Sequence, residues 1–228
     1  MKAFIIYQTY RVIDSKPYIF LFGRLENNQS FLTINHYEPY FYIKTSDIKH
    51  LPKEYQYENT NFKNFNNEKV SRILAELPSN VPKIRKELDI DCYEADIRFP
   101  QRYLLDKNIK STINIEGDYE LGSTMDRIYQ EPEITPIKYS PTNLKVFSID
   151  IETSSNLENI YSISIYSDDF EKSLIISNKK LDFALNFKDE ESLLEEFRSI
   201  IIEEDPDILT GWNFIDFDLK YLQDKFKQ

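Results

Sequence analysis

The apolar positions of this chain fall in short runs whose period changes along its length. Near the N-terminus they alternate over a few positions at a time, so residues 3–7, 18–24, 30–35 and 38–44 read as strands, with Asn27-Asn28 as a hairpin turn. Over residues 70–77 the alternation places Ser71, Ile73, Ala75 and Leu77 on one face of another strand. A helix capped by Ser79 or Asn80 follows as far as Leu88, and residues 92–95 return as a strand. Residues 56–67, rich in Asn and Tyr, predict a long loop.

Three prolines within residues 131–141 interrupt any regular pattern and predict a boundary, giving domains at 1–140 and 141–228. Beyond it, residues 144–151, 160–166 and 173–177 read as an antiparallel meander. Residues 190–202 follow as an amphipathic helix, and residues 208–211 as a short strand. A last helix carries Leu219, Leu222 and Phe226 at helical spacing, capped by Asn213 or Asp216. Gly211 is placed to let two chain segments approach closely.

Charge sharpens this division. Residues 1–140 hold 19 Lys and Arg against 20 Asp and Glu, whereas residues 141–228 hold 9 against 19, so nearly all of the net charge of −11 lies in the second part. A free-standing nucleic-acid binder normally carries the opposite balance, whereas a metal-dependent site tolerates an acidic one because the ions bring the positive charge. Cys92 is the lone cysteine and the two histidines, His36 and His50, lie early, which excludes an intramolecular disulfide and a zinc site of ordinary spacing. No apolar run is long enough to span a bilayer and no signal-peptide pattern opens the chain, so the expected location is cytoplasmic.

The candidate chemistry lies in the acidic part. In Val146-Phe147-Ser148-Ile149-Asp150-Ile151-Glu152-Thr153 two acids interrupt an apolar run two positions apart, and in a strand they share a face. Carboxylates held that close repel each other unless a cation sits between them, which points to a hard divalent metal. The plain alternative is a strand running out into solvent. A second acidic group, Asn213-Phe214-Ile215-Asp216-Phe217-Asp218, follows another short apolar run and places Asp218 in the first turn of the last helix. The acid runs at 189–191 and 203–205 read as solvated helix ends.

These strings carry a resemblance. Phe147-Ser148-Ile149-Asp150-Ile151-Glu152-Thr153 resembles the first exonuclease motif of family B DNA polymerases, and Asp207-Ile208-Leu209-Thr210-Gly211-Trp212-Asn213-Phe214-Ile215-Asp216-Phe217-Asp218 resembles the second. Tyr93-Glu94-Ala95-Asp96-Ile97-Arg98-Phe99-Pro100-Gln101-Arg102-Tyr103, Glu38-Pro39-Tyr40-Phe41-Tyr42-Ile43 and Val81-Pro82-Lys83-Ile84-Arg85 are similar to the N-terminal domain of the archaeal enzymes and the bacterial DNA polymerase II group. The resemblance implies an α+β and α/β chain. Its first part is a β-rich domain with a ferredoxin-like, RNA-recognition-type element, and its second an incomplete ribonuclease H-like 3′ to 5′ exonuclease domain.

By resemblance, Asp150 bridges two Mg²⁺ or Mn²⁺ ions, Glu152 binds the one that activates water, and Asp218 holds the other, which makes these three the catalytic and metal-binding residues. Asn213 and Phe217 match positions that face or support the primer terminus, with a core anchor as the plainer role for Phe217. The implied partners are DNA (the primer 3′ end and the template strand), the remaining polymerase domains on this or a second chain, and a sliding clamp in the full enzyme. The expected setting is the nucleoid. The third exonuclease motif, Tyr-x3-Asp after the second, is not among these residues. Tyr10 to Asp14 has that spacing at the wrong end, in a hairpin. The 228 residues alone are therefore expected to be inactive, and a docking or template-binding module of a split polymerase is the alternative. Sheet aromatics such as Phe41 or Tyr57 could stack bases, but core packing is the stronger expectation.

Overall fold

A two-residue turn at Asp14 and Ser15, both left-handed at φ 48° and 61°, folds β1 (Lys2–Ile13) onto β2 (Lys16–Leu25). Left-handed residues at both central positions match the twist of the paired strands, and this hairpin holds the Tyr10 to Asp14 spacing. The computed structural model describes residues 1–140, 144–156 and 158–227, and its chain divides into two units, Met1–Pro141 and Thr142–Gln228.

In the first unit, β3 (Ser30–His36) follows β2 through the expected turn, with Asn28 left-handed at φ 65°. β4 (Tyr40–Lys44), β5 (Tyr57–Lys63), β6 (Lys69–Leu74), α1 (Val81–Glu87) and β7 (Cys92–Tyr93) form the second group, in which α1 packs on a sheet ordered β5-β6-β4-β7. α2 (Phe99–Asp106), β8 (Thr112–Glu116), β9 (Arg127–Gln130) and β10 (Glu133–Pro136) complete a six-stranded sheet ordered β10-β8-β1-β2-β3-β9. Its core includes Ile19, Leu21, Phe31, Tyr103 and Tyr129. Asp106 of α2 accepts hydrogen bonds from the Tyr37 and Tyr40 hydroxyls, and burial together with this acceptor pushes both hydroxyl pKa values up.

Several expectations change here. Residues 57–63 form a strand, not a loop: β5 is an edge strand with only Thr60 partly buried, so its pairing to β6 rests on backbone bonds that no apolar pattern announces. α1 begins after a 3-10 turn at Pro78–Asn80 and has no side-chain cap from Ser79 or Asn80. The proline-rich stretch carries β10, which tolerates Pro136 because it lies at the sheet's edge. Phe41 is fully buried in the core, while Tyr57 stays exposed.

The second unit contains β11 (Val146–Thr153), β12 (Ile160–Tyr166), β13 (Glu171–Ile176), β14 (Leu185–Phe187), α3 (Glu190–Glu204), β15 (Ile208–Thr210) and α4 (Asp218–Lys225). The sheet runs β14-β13-β12-β11-β15, with β11 to β13 antiparallel and β15 parallel to β11. Phe147, Ile149 and Ile151 alternate toward a core completed by Leu193, Phe197, Ile200, Phe214 and Leu222 from the helical side. α3 starts where Asp189 accepts the Ser192 N–H at 2.9 Å, and bonds from the Ser192 hydroxyl and N–H hold the Asp189 carboxyl below the usual carboxylate range. Glu190 is not a simple solvated helix end. It accepts the Ile160 N–H at 2.7 Å and pairs with Lys225 at 2.9 Å, tying α3 to β12 and α4.

Candidate functional site

Strand alternation sends Asp150 and Glu152 to the face of the sheet opposite the helices, where both are exposed. Same-face residues stand roughly 7 Å apart along a strand, close enough for two carboxylates to share a cation layer. Their cross-strand neighbours on β12 are Ser164 opposite Asp150 and Ser162 opposite Glu152, and Ser173 of β13 lies opposite Ser164. Small hydroxyl side chains beside both acids leave this face open. The sequence reading missed these serines, whose signal was the Ser-x-Ser repeat at 162 and 164, on the strand paired with the acids.

Asp218 comes from the other motif. β15 pairs with β11 only as far as Thr210 opposite Ser148, so the β11 edge beyond that point needs another acceptor. Asp218, 1% exposed, supplies it: its Oδ1 accepts the Ile151 N–H at 3.1 Å. The second motif is thereby fixed to the residue between Asp150 and Glu152. One of the Asp218 oxygens is committed to the backbone, and among the described residues no three His, Cys, Asp or Glu side chains converge on a point that could hold a metal. The donors are all carboxylate oxygens, the kind a hard divalent ion takes, so the set fits such an ion in chemistry while the third candidate, Asp218, is turned onto the strand.

The turn between β15 and α4 is held from inside. A Cβ at Gly211 would lie 2.2 Å from the Ile149 carbonyl oxygen, so the expected close approach is real and excludes any side chain there. Phe214 is buried in the core. Asn213 is exposed and left-handed at φ 55°, and its carbonyl accepts the Phe217 N–H at 3.0 Å. Neither Asn213 nor Asp216 caps α4; the cap position is Phe217, whose ring has no acceptor to offer, and the Asp218 carboxylate in the first turn bonds to β11. Phe217 is half-buried, lies against the core and stacks on Tyr221 at 6.2 Å between centroids. On the helical side, an apolar groove of about 970 Å³ between α3 and α4 is lined by Ile149, Leu194, Phe197, Leu222 and Phe226, and includes none of the candidate acids.

The profile described as "DNA polymerase family B, exonuclease domain" matches residues 90–228, more than half of the chain. The chain belongs to DNA polymerase family B. Its likeness to family B members extends over the full length. It is 33% identical over 151 residues to DNA polymerase II of Escherichia coli, a match covering 63% of this chain and 18% of that protein. To the DNA polymerase of Archaeoglobus fulgidus it is 26% identical, covering 98% of the chain and 30% of that protein. In fold it is similar to the family B DNA polymerase from Pyrobaculum calidifontis, with a TM-score of 0.79 at 22% identity over 100% of this chain and 32% of that one. The chain thus spans less than a third of the length of these family B relatives. The mixed, sheet-rich architecture is that of the family's N-terminal and exonuclease region, with the second unit consistent with a ribonuclease H-like domain. No helix among the described residues is long and apolar enough to cross a membrane.

Proposed function

We propose that residues 141–228 are the first part of a 3′ to 5′ exonuclease that trims the primer 3′ end for a family B polymerase, and that residues 1–140 are an N-terminal domain contacting the template strand. The observation that carries this reading is the Asp218 carboxylate, brought from the second motif onto β11 between Asp150 and Glu152. Asp150, Glu152 and Asp218 would hold Mg²⁺ or Mn²⁺, which when bound supplies an activated water and stabilises the leaving 3′ oxygen. The serine-floored face admits the phosphodiester backbone beside the acids. Asn213 and Phe217, on the turn that leads to Asp218, contact or support the primer terminus.

Residues 1–228 alone bind metal weakly and hydrolyse DNA negligibly, since Asp218 is turned onto the backbone and the third motif is not among them. Polymerisation, clamp contact and a place in the nucleoid belong to the full enzyme, through domains on the same or a second chain. The same feature favours a second reading, a docking or template-binding module of a split polymerase. Calorimetric titration with Mn²⁺ and a short single-stranded DNA separates the two. DNA binding strengthened by Mn²⁺ and weakened by Asp150→Ala and Glu152→Ala supports the exonuclease; DNA binding indifferent to metal and to both substitutions supports the docking module.

A further inference from the structure

We infer that Trp212 is a stacking platform for a base of the single strand held at this face, a reading that rests on the exonuclease proposal and adds to it the group that grips the strand. Trp212 is the chain's only tryptophan and is 91% exposed. Tryptophan is among the most buried side chains on average, so an indole left in water is informative when the backbone beneath it is fixed. Here it is fixed on both sides. Gly211 lies against the Ile149 carbonyl, and Phe214 is sunk in the core.

A close approach places the ring. β15 pairs in parallel with β11 from Ile208 opposite Val146 to Thr210 opposite Ser148, and all four of these residues are exposed on the face that carries the acids. Beyond that pairing Trp212 lies in the turn, and the contact of Gly211 with the Ile149 carbonyl sets it beside the stretch of β11 that leads into Asp150. The residues directly opposite the acids on β12 are serines, with the exposed rings of Tyr161 and Tyr166 toward either end of that strand.

Charge argues for stacking over phosphate contacts. With 9 basic against 19 acidic residues in residues 141–228, the unit has few cations to neutralise a backbone. An aromatic face binds any base without needing that charge. The ligand class is therefore single-stranded nucleic acid gripped through a base, with little sequence preference and a shallow dependence on salt.

The lone indole is its own probe. Titrating the 228-residue chain with oligo-dT of about eight nucleotides, a length within the usual span of single-strand sites, is expected to quench Trp212 fluorescence saturably. Trp212→Ala should weaken binding of a labelled oligonucleotide roughly 5- to 150-fold, the span of measured base–aromatic stacking. Trp212→Phe should restore most of it, and wild-type affinity should change little with salt. Unchanged fluorescence together with unchanged affinity in Trp212→Ala would overturn the inference, as would a loss of affinity not rescued by phenylalanine or a change in oligomeric state without any change in DNA affinity. If Mn²⁺-strengthened binding through Asp150 persists in those cases, the exonuclease reading stands without the platform. If quenching of the wild type and the loss of affinity in Trp212→Ala occur while Asp150→Ala and Glu152→Ala change nothing, the platform stands and the exonuclease reading falls.

Discussion

The Ile151 N–H and the Asp218 carboxylate, 67 positions apart in the chain, meet in a hydrogen bond of 3.1 Å. This contact joins the two acidic motifs, because it gives the unpaired edge of β11 its acceptor and ties an acid of α4 to the backbone of the residue between Asp150 and Glu152. Structure and proposed chemistry draw on the same side chain, and substitutions can pull them apart.

Replacing Asp218 by alanine leaves the buried Ile151 N–H without a partner and is expected to destabilise the fold by about 1–3 kcal/mol. Asp218→Asn keeps an acceptor oxygen and should retain most of that stability, yet lose Mn²⁺ affinity to the same extent as the alanine variant. Urea unfolding and Mn²⁺ titration of both variants check this. Equal stability in the two variants would contradict the structural role.

Gly211→Ala sets a methyl group 2.2 Å from the Ile149 carbonyl oxygen. Relieving that contact means separating β15 from β11, so a loss of about 2–3 kcal/mol is expected. An unchanged urea midpoint would mean that the two strands do not approach as closely as described.

The cap of α3 predicts a pH dependence. Bonds from the Ser192 hydroxyl and N–H lower the folded-state pKa of Asp189 below its ordinary 3.8. Its contribution is therefore fully present above that value and is lost as pH falls through the lower folded value. Asp189→Ala should be less stable than the wild type at pH 7 and pH 5, and the gap should close below about 3.8. A gap that stays constant across this range would rule out the cap as described.

At the β1–β2 turn, Ser15 occupies a left-handed position at φ 61° that glycine takes without strain. Ser15→Gly should stabilise the chain by roughly 0.5–1 kcal/mol, net of glycine's greater freedom when unfolded. Thermal unfolding monitored by circular dichroism reads this out, and a lower midpoint would contradict the turn geometry.

What the sequence disclosed follows the physics of burial. β11 was legible because Phe147, Ile149 and Ile151 alternate with Ser148, Asp150 and Glu152, so one strand displays both the core and the acids. α3 was legible from Leu193, Leu194, Phe197 and Ile200. β5 was not, since an exposed edge strand has no apolar face to show. β9 was hidden for another reason: it is four residues long and is recruited by β3, where Phe31 pairs with the distant Arg127. α2 opens with Phe99-Pro100 and buries Arg102, which reads as a break even though proline suits a helix's first turn. At the site, the motifs indicated which acids matter. Only the fold reveals that Asp218 bonds to the backbone of Ile151, because that contact depends on β15 ending at Thr210.

The most direct test of the central claim is a crystal of the chain soaked in Mn²⁺, with anomalous density read around Asp150, Glu152 and Asp218 and with Asp150→Ala as the control. Density at Asp150 within reach of Glu152 and Asp218, absent from the control, is the predicted result. No density there, with the carboxylates more than about 8 Å apart, would contradict an exonuclease metal site built from these two motifs.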